Sequence, residues 1–123
     1  MDLTDLPRTP KRIATLFLLL ESQVKSKEKE HSDLKLHATY YEDTNFDDEL
    51  ESIFNFEIEN WNNDKLLFQR VTYNHETKLI AVDVADTRIF FMENTNQNRK
   101  QIPTLFMEGF EYASRTFTDW KWK

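Results

Sequence analysis

The chain is 123 residues long, 39% apolar, 14% aromatic and 31% charged, with a net charge of −6 and no cysteine. That length holds one domain with a real core and not comfortably two, and the missing cysteines exclude disulfides, thiolate metal sites and cysteine nucleophiles. Gly109 is the single glycine, which excludes phosphate-cradling loops, dinucleotide fingerprints and EF-hand loops, all of which need glycine where backbone turns sharply or meets a ligand.

Residues 1–8 read as a short N-terminal arm. Thr9 is placed to cap a helix and Pro10 to open it, since the missing N–H of proline costs nothing in the first turn. Ile13, Leu16, Phe17, Leu20 and Val24 then recur at helical spacing, predicting a helix over 10–27 that ends in the alternating charges of Lys25 to Glu30. Leu18 points opposite this stripe and Leu19 flanks it. A helix apolar nearly all round is sandwiched between surfaces, so a homodimer through Leu18 and Leu19 is one expectation, with ordinary exposed leucines as the plainer one. Lys11-Arg12 followed by Ile13 to Leu20 has the outline of a signal peptide. The apolar run is short, however, with Asp2 and Asp5 before it and no small-residue cleavage site after it. It is also too short to span a bilayer, and the expected location is the cytoplasm.

From Leu34 the period becomes two. Leu34, Leu36, Ala38 and Tyr40 alternate with Lys35, His37, Thr39 and Tyr41, the pattern of a half-buried strand. Phe46, Leu50 and Ile53, with Asn45 as cap, suggest a short helix, whereas Phe54, Phe56 and Ile58 alternate with polar residues as a strand does. Residues 45–59 thus read as helix, strand or both. A polar turn over Trp61 to Asp64 follows. The β-rich runs Leu66–Tyr73 and Leu79–Val84 around Asn74 to Thr77 make a hairpin, and Arg88–Met92 after Ala85-Asp86-Thr87 extends it to a meander. Asn94–Lys100 reads as a polar loop and Pro103 as the start of a second helix with Phe106, Phe110, Ala113 and Phe117 on one face. Gly109 inside that helix costs ~1 kcal/mol against alanine and is best explained by close packing on the sheet. Trp120 to Lys123 alternates again, as a terminal strand would.

The fold expected is a single α+β domain over 1–123. It would be an antiparallel β-sheet of about four to five strands, with an N-terminal and a C-terminal helix packed on one face. The charged stretches exclude a doubly wound parallel sheet, whose strands would be continuously apolar.

No catalytic, cofactor-binding or metal-ligating set emerges. His31, His37 and His75 show no metal-ligand spacing. Asp47, Asp48, Glu49 and Glu51 could face a hard cation, but the glycine-bearing turn such sites use is missing. Asp64, Glu76 and Lys78 match the bare spacing of metal-dependent nucleases. That chemistry needs the last two on a strand, and here they fall in a turn. Ser22, Ser26, Ser32, Ser52 and Ser114 lack a nucleophile-elbow context. Trp120 and Trp122 with Lys121 and Lys123 could stack on a single strand of nucleic acid, although two tryptophans finishing a sheet need no ligand. An enzyme is therefore unsupported.

One feature leans toward a function. Between Leu36 and Asp64, nine carboxylates and six aromatics occur without a lysine or arginine, leaving 13 acids against 16 bases elsewhere. Aromatics facing the core with acids on the solvent side explain the alternation but not the total lack of cations, since ordinary surfaces mix signs. The expectation is a small acidic protein that binds a basic macromolecular partner as an inhibitor, immunity protein or adaptor, with mimicry of nucleic-acid phosphates as one form. Its partner-binding residues would be Glu42, Asp43, Asp47, Asp48, Glu49, Glu51, Glu57 and Glu59. Double-stranded nucleic acid and membranes are not expected partners of such a face. A module for a small apolar ligand between sheet and helices is the alternative.

Overall fold

The computed structural model describes residues 8–29, 34–60, 65–84 and 87–121, without the side chains of 28, 34, 58–60, 65–68 and 110–121. The elements run α1 (Lys11–Glu28), β1 (Leu34–Thr44), β2 (Leu50–Asn60), β3 (Lys65–Asn74), β4 (Leu79–Val84), β5 (Thr87–Glu93) and α2 (Asn96–Lys121). The five strands form one antiparallel sheet in the order β1-β2-β3-β4-β5, so each strand pairs with its sequence neighbour. This is the α+β architecture expected.

Register follows from the hydrophobic alternation, because a slip of one residue would turn every core side chain outward. Ala38 pairs with Phe56 and Tyr40 with Phe54, then Phe54 with Val71 and Val71 with Val82. These residues and Leu36, Tyr73 and Ile80 form one face, closed by Ile13, Leu16, Phe17, Leu20 and Val24 of α1 and by Ile102 and Phe106 of α2. Aromatic rings lock the layers. Phe54 lies 5.9 Å from Phe17 and 5.8 Å from Phe106, and Phe56 lies 5.5 Å from Phe106, tilted or edge-on as ring quadrupoles prefer.

Gly109 lets α2 approach the sheet. A Cβ there would meet Nε2 of the fully buried Gln69 at 2.4 Å and Val84 at 3.1 Å. Gln69 uses that nitrogen to donate to the Phe106 carbonyl at 3.1 Å, tying β3 to the helix.

Four expectations are corrected. Asn45 caps a turn, not a helix: its Oδ1 accepts the N–H groups of Asp47 (2.9 Å) and Glu49 (3.1 Å), Asp48 turns left-handed at φ 59°, and Leu50 already belongs to β2. Phe46 consequently protrudes fully, and Ile53 is a strand residue opposite Tyr41. Thr9 gives α1 no cap hydrogen bond. Pro10 is the N-cap, and its carbonyl accepts from Ile13 and Ala14 at 3.0 Å. The second helix starts at Asn96, inside the expected loop, because the Thr95 hydroxyl accepts the Asn98 N–H at 3.1 Å, a serviceable N-cap. Pro103 then lies within that helix instead of opening it. Finally, α2 continues to Lys121, so Trp120 is helical and the short alternation at the end makes no strand up to that residue. Residues 1–7, His31, Ser32, Trp61 to Asp64, Ala85, Asp86, Trp122 and Lys123 lie outside the described residues.

Candidate functional site

Both helices cover the same face of the sheet, and among the described residues no element packs on the other, the open face. Across its middle run Tyr41, Ile53, Thr72, Ala81 and Phe91 in register. Ile53, Thr72 and Ala81 are buried all the same, while Tyr41 and Phe91 stand exposed.

The antiparallel meander brings the β1–β2 turn, the β3–β4 turn and the last residue of β5 to one end of the sheet. The N–H of His75 donates to the Leu50 carbonyl at 2.9 Å and that of Asn94 to the Lys78 carbonyl at 3.0 Å, which stitches these segments together. Asp43, Asp47, Asp48, Glu49 and Glu51 meet there, joined by Glu76 and Glu93 from remote sequence. Lys78, in the same turn, opposes them. Glu49 is held in place: its Oε1 accepts from Asn45 and from Asn74, each at 3.2 Å. Asp47, Glu49 and Glu51 form one wall of a groove of about 370 Å³ on the open face, with Thr72, Leu79 and Ala81 as floor and Arg88 and Phe91 opposite. The acidic wall can meet the head of a long basic side chain and the Phe91 ring its stem, while Arg88 beside that ring is already paired with Asp83.

The other sequence-predicted residues go elsewhere. Glu42 points to the covered face, its side chain 5% exposed beside Arg8. It accepts from the Arg8 N–H at 3.0 Å, from Arg8 Nε at 3.4 Å and from the Thr9 hydroxyl at 2.8 Å. It anchors the N-terminal segment and leaves the acidic end. Glu57 is half-buried on the open face opposite His37, away from the turns. The Glu59 side chain lies outside the described residues.

A polar chain runs from Glu42 into the interior. Thr9 Oγ1 lies 2.5 Å from Ser52 Oγ, which lies 2.7 Å from His75 Nε2. Directions follow by elimination. A carboxylate can only accept, so the Thr9 proton goes to Glu42; Ser52 must then donate to Thr9, and His75 Nε2–H must donate to Ser52. Burial holds the His75 pKa below its ordinary 6.5, opposed by the pull of Glu42 and aided by Lys78 and Arg8.

The Ser52–His75 pair therefore has nucleophile–base distance with the wrong proton flow. In a nucleophilic pair serine donates to histidine. Ser52 is also fully buried. Among the described residues no group of three or more His, Asp or Glu side chains converges on a metal-sized space, and no helix is long and apolar enough to cross a membrane. Comparison with protein-family models, with curated proteins and with solved structures finds no match to this chain.

Proposed function

We propose that this chain is a non-enzymatic, cytoplasmic interaction protein that binds a basic macromolecular surface, in the manner of an inhibitor, immunity protein or adaptor. The binding face is the acidic end of the open sheet, with Asp43, Asp47, Asp48, Glu49 and Glu51 as its centre. The observation that carries this reading is the groove, where Asp47, Glu49 and Glu51 stand across from Phe91 and the Asp83-paired Arg88 above a floor of Thr72, Leu79 and Ala81. A solvated helix face would scatter its carboxylates. Here a rigid hairpin turn aims them, and hydrogen bonds from Asn45 and Asn74 fix Glu49. Charges at such a rim steer encounter and select partners more than they add affinity.

The alternative, a small apolar ligand between sheet and helices, is not carried further, because Phe17, Phe54, Phe56 and Phe106 occupy that layer.

A short oligoarginine peptide tests the proposal by amide chemical-shift mapping at low salt. Perturbations centred on 45–51, Thr72 and Phe91 are expected. Shifts spread evenly over all exposed carboxylates, or centred on the helices, would contradict it.

A further inference from the structure

Open sheets have two edge strands, and each edge is a row of unpaired backbone groups that soluble proteins blunt with lysine, proline, bulges or a covering element. In this chain the edges are β1 and β5. β1 carries Lys35, Thr39 and Asp43 toward solvent and receives α1 on its other side. β5 differs. It has neither lysine nor proline, and the helices lean mainly on β1, β3 and β4. Ile89, Phe91 and Met92 are 42%, 52% and 48% exposed, three large apolar residues within four positions. Its cation, Arg88, is engaged: Nε donates to Asp83 at 3.0 Å and the guanidinium lies 4.9 Å from the Phe91 ring centre. A register irregularity at Val82/Asp83 disturbs the start of the strand, but Phe90 to Glu93 pair regularly with β4.

We propose that β5 pairs antiparallel with β5 of a second copy, joining two sheets edge to edge across a two-fold axis. This inference rests on the β5 edge and not on the acidic partner, although Phe91 borders both the edge and the groove. A two-fold contact must be self-complementary. Centred on Phe90, the strand offers this: Phe90 meets its own counterpart beside the covered face, and Phe91 of each copy lies opposite Ile89 of the other, the residue at the register irregularity. Charge favours the same direction. Antiparallel pairing lays each copy's Arg88 end beside the other's Glu93 end. It also sends the two acidic turn clusters to opposite ends, whereas parallel pairing would set them side by side and repel. The main-chain hydrogen bonds supply the pairing, and the exposed apolar side chains of Ile89, Phe91 and Met92 add burial beside it.

Sedimentation at tens of micromolar and site-directed crosslinking test this. The wild type is expected to sediment as a dimer, and Phe91→Lys, at an exposed position, as a folded monomer with a native far-UV spectrum. Because the chain has no cysteine of its own, Phe90→Cys should give a disulfide-linked dimer on oxidation, while Tyr41→Cys near the other edge should not. A monomeric wild type would overturn the proposal and leave the edge for a strand of a different chain. A dimer that survives Phe91→Lys, or is lost in Leu18→Glu with Leu19→Glu, would also overturn it and assign the contact to another surface. Polymers instead of a dimer would contradict the two-fold register.

Discussion

The two faces of this sheet are made from the same strands by the same alternation, yet they do opposite work. On the covered face most positions are aromatic or aliphatic, with Glu42, Ser52 and Gln69 as hydrogen-bonded exceptions, and two helices close over it. On the open face the same strands present Asp43, Glu51, Thr72, Asn74 and Ala81, with buried small residues below and charged turns at one end. Burial makes the first face costly to change and chemically silent. Exposure makes the second cheap to change and able to meet a partner. The difference predicts that stability and binding separate cleanly by face.

The largest effects should come from the covered face. Phe54→Ala or Phe56→Ala removes a fully buried ring from the Phe17–Phe106 stack and should cost ~3–5 kcal/mol in denaturant melts. Breaking the polar chain comes next. Ser52→Ala strands the His75 N–H and Thr9→Val strands the Ser52 hydroxyl, each costing ~1–3 kcal/mol. Gly109→Ala gains ~1 kcal/mol of helix propensity. It also drives a methyl into Gln69, so a net loss is expected, since overpacking costs ~1–3 kcal/mol. A stabilised Gly109→Ala variant would show that α2 stands further from the sheet than described here.

A smaller effect on stability depends on pH. Because burial lowers the His75 pKa in the folded chain, the unfolded chain takes up its proton first as pH falls. Stability from this group is therefore full above pH 6.5 and declines below it toward the native value. Thermal melts across that window should show the slope, and His75→Gln should flatten it.

Much of the covered face was legible in the sequence. Periodicity of two from Leu34, of 3.6 from Ile13, and the run of Phe54 and Phe56 each imply a buried stripe, and Leu36, Tyr40, Phe54, Phe56 and the α1 stripe are buried. Residues 45–53 misled because Leu50 and Ile53 are spaced as in a helix although they sit on different faces of one strand; the decisive signal was Asn45, whose side chain closes a turn as readily as it caps a helix. The start of α2 was missed because Pro103 is a stronger marker than Thr95. The acidic block was visible by composition, but its geometry was not. Nothing local tells that Glu42 turns inward to hold Arg8 and Thr9, or that Glu76 and Glu93 reach the same end of the sheet as the β1–β2 turn, because strand pairing decides both.

The smallest effect on stability should accompany the largest on binding. Asp47→Asn, Asp48→Asn, Glu49→Gln and Glu51→Gln together should leave the fold nearly unchanged, each within about 0.5 kcal/mol. Their effect on a partner should be salt-dependent, because exposed charges are screened beyond roughly 8 Å at physiological ionic strength. Whether position or mere total charge matters is decided by a charge-matched control, Glu21→Gln, Glu28→Gln, Glu108→Gln and Glu111→Gln on the helices. The measurement is the affinity of a short oligoarginine peptide for wild type and both variants at low and physiological salt. The sheet-end variant should bind several-fold more weakly at low salt and lose most of its salt dependence, while the helix variant stays close to wild type. Equal weakening of the two variants, or none in the first, would show that the acidic end is only a solvated surface.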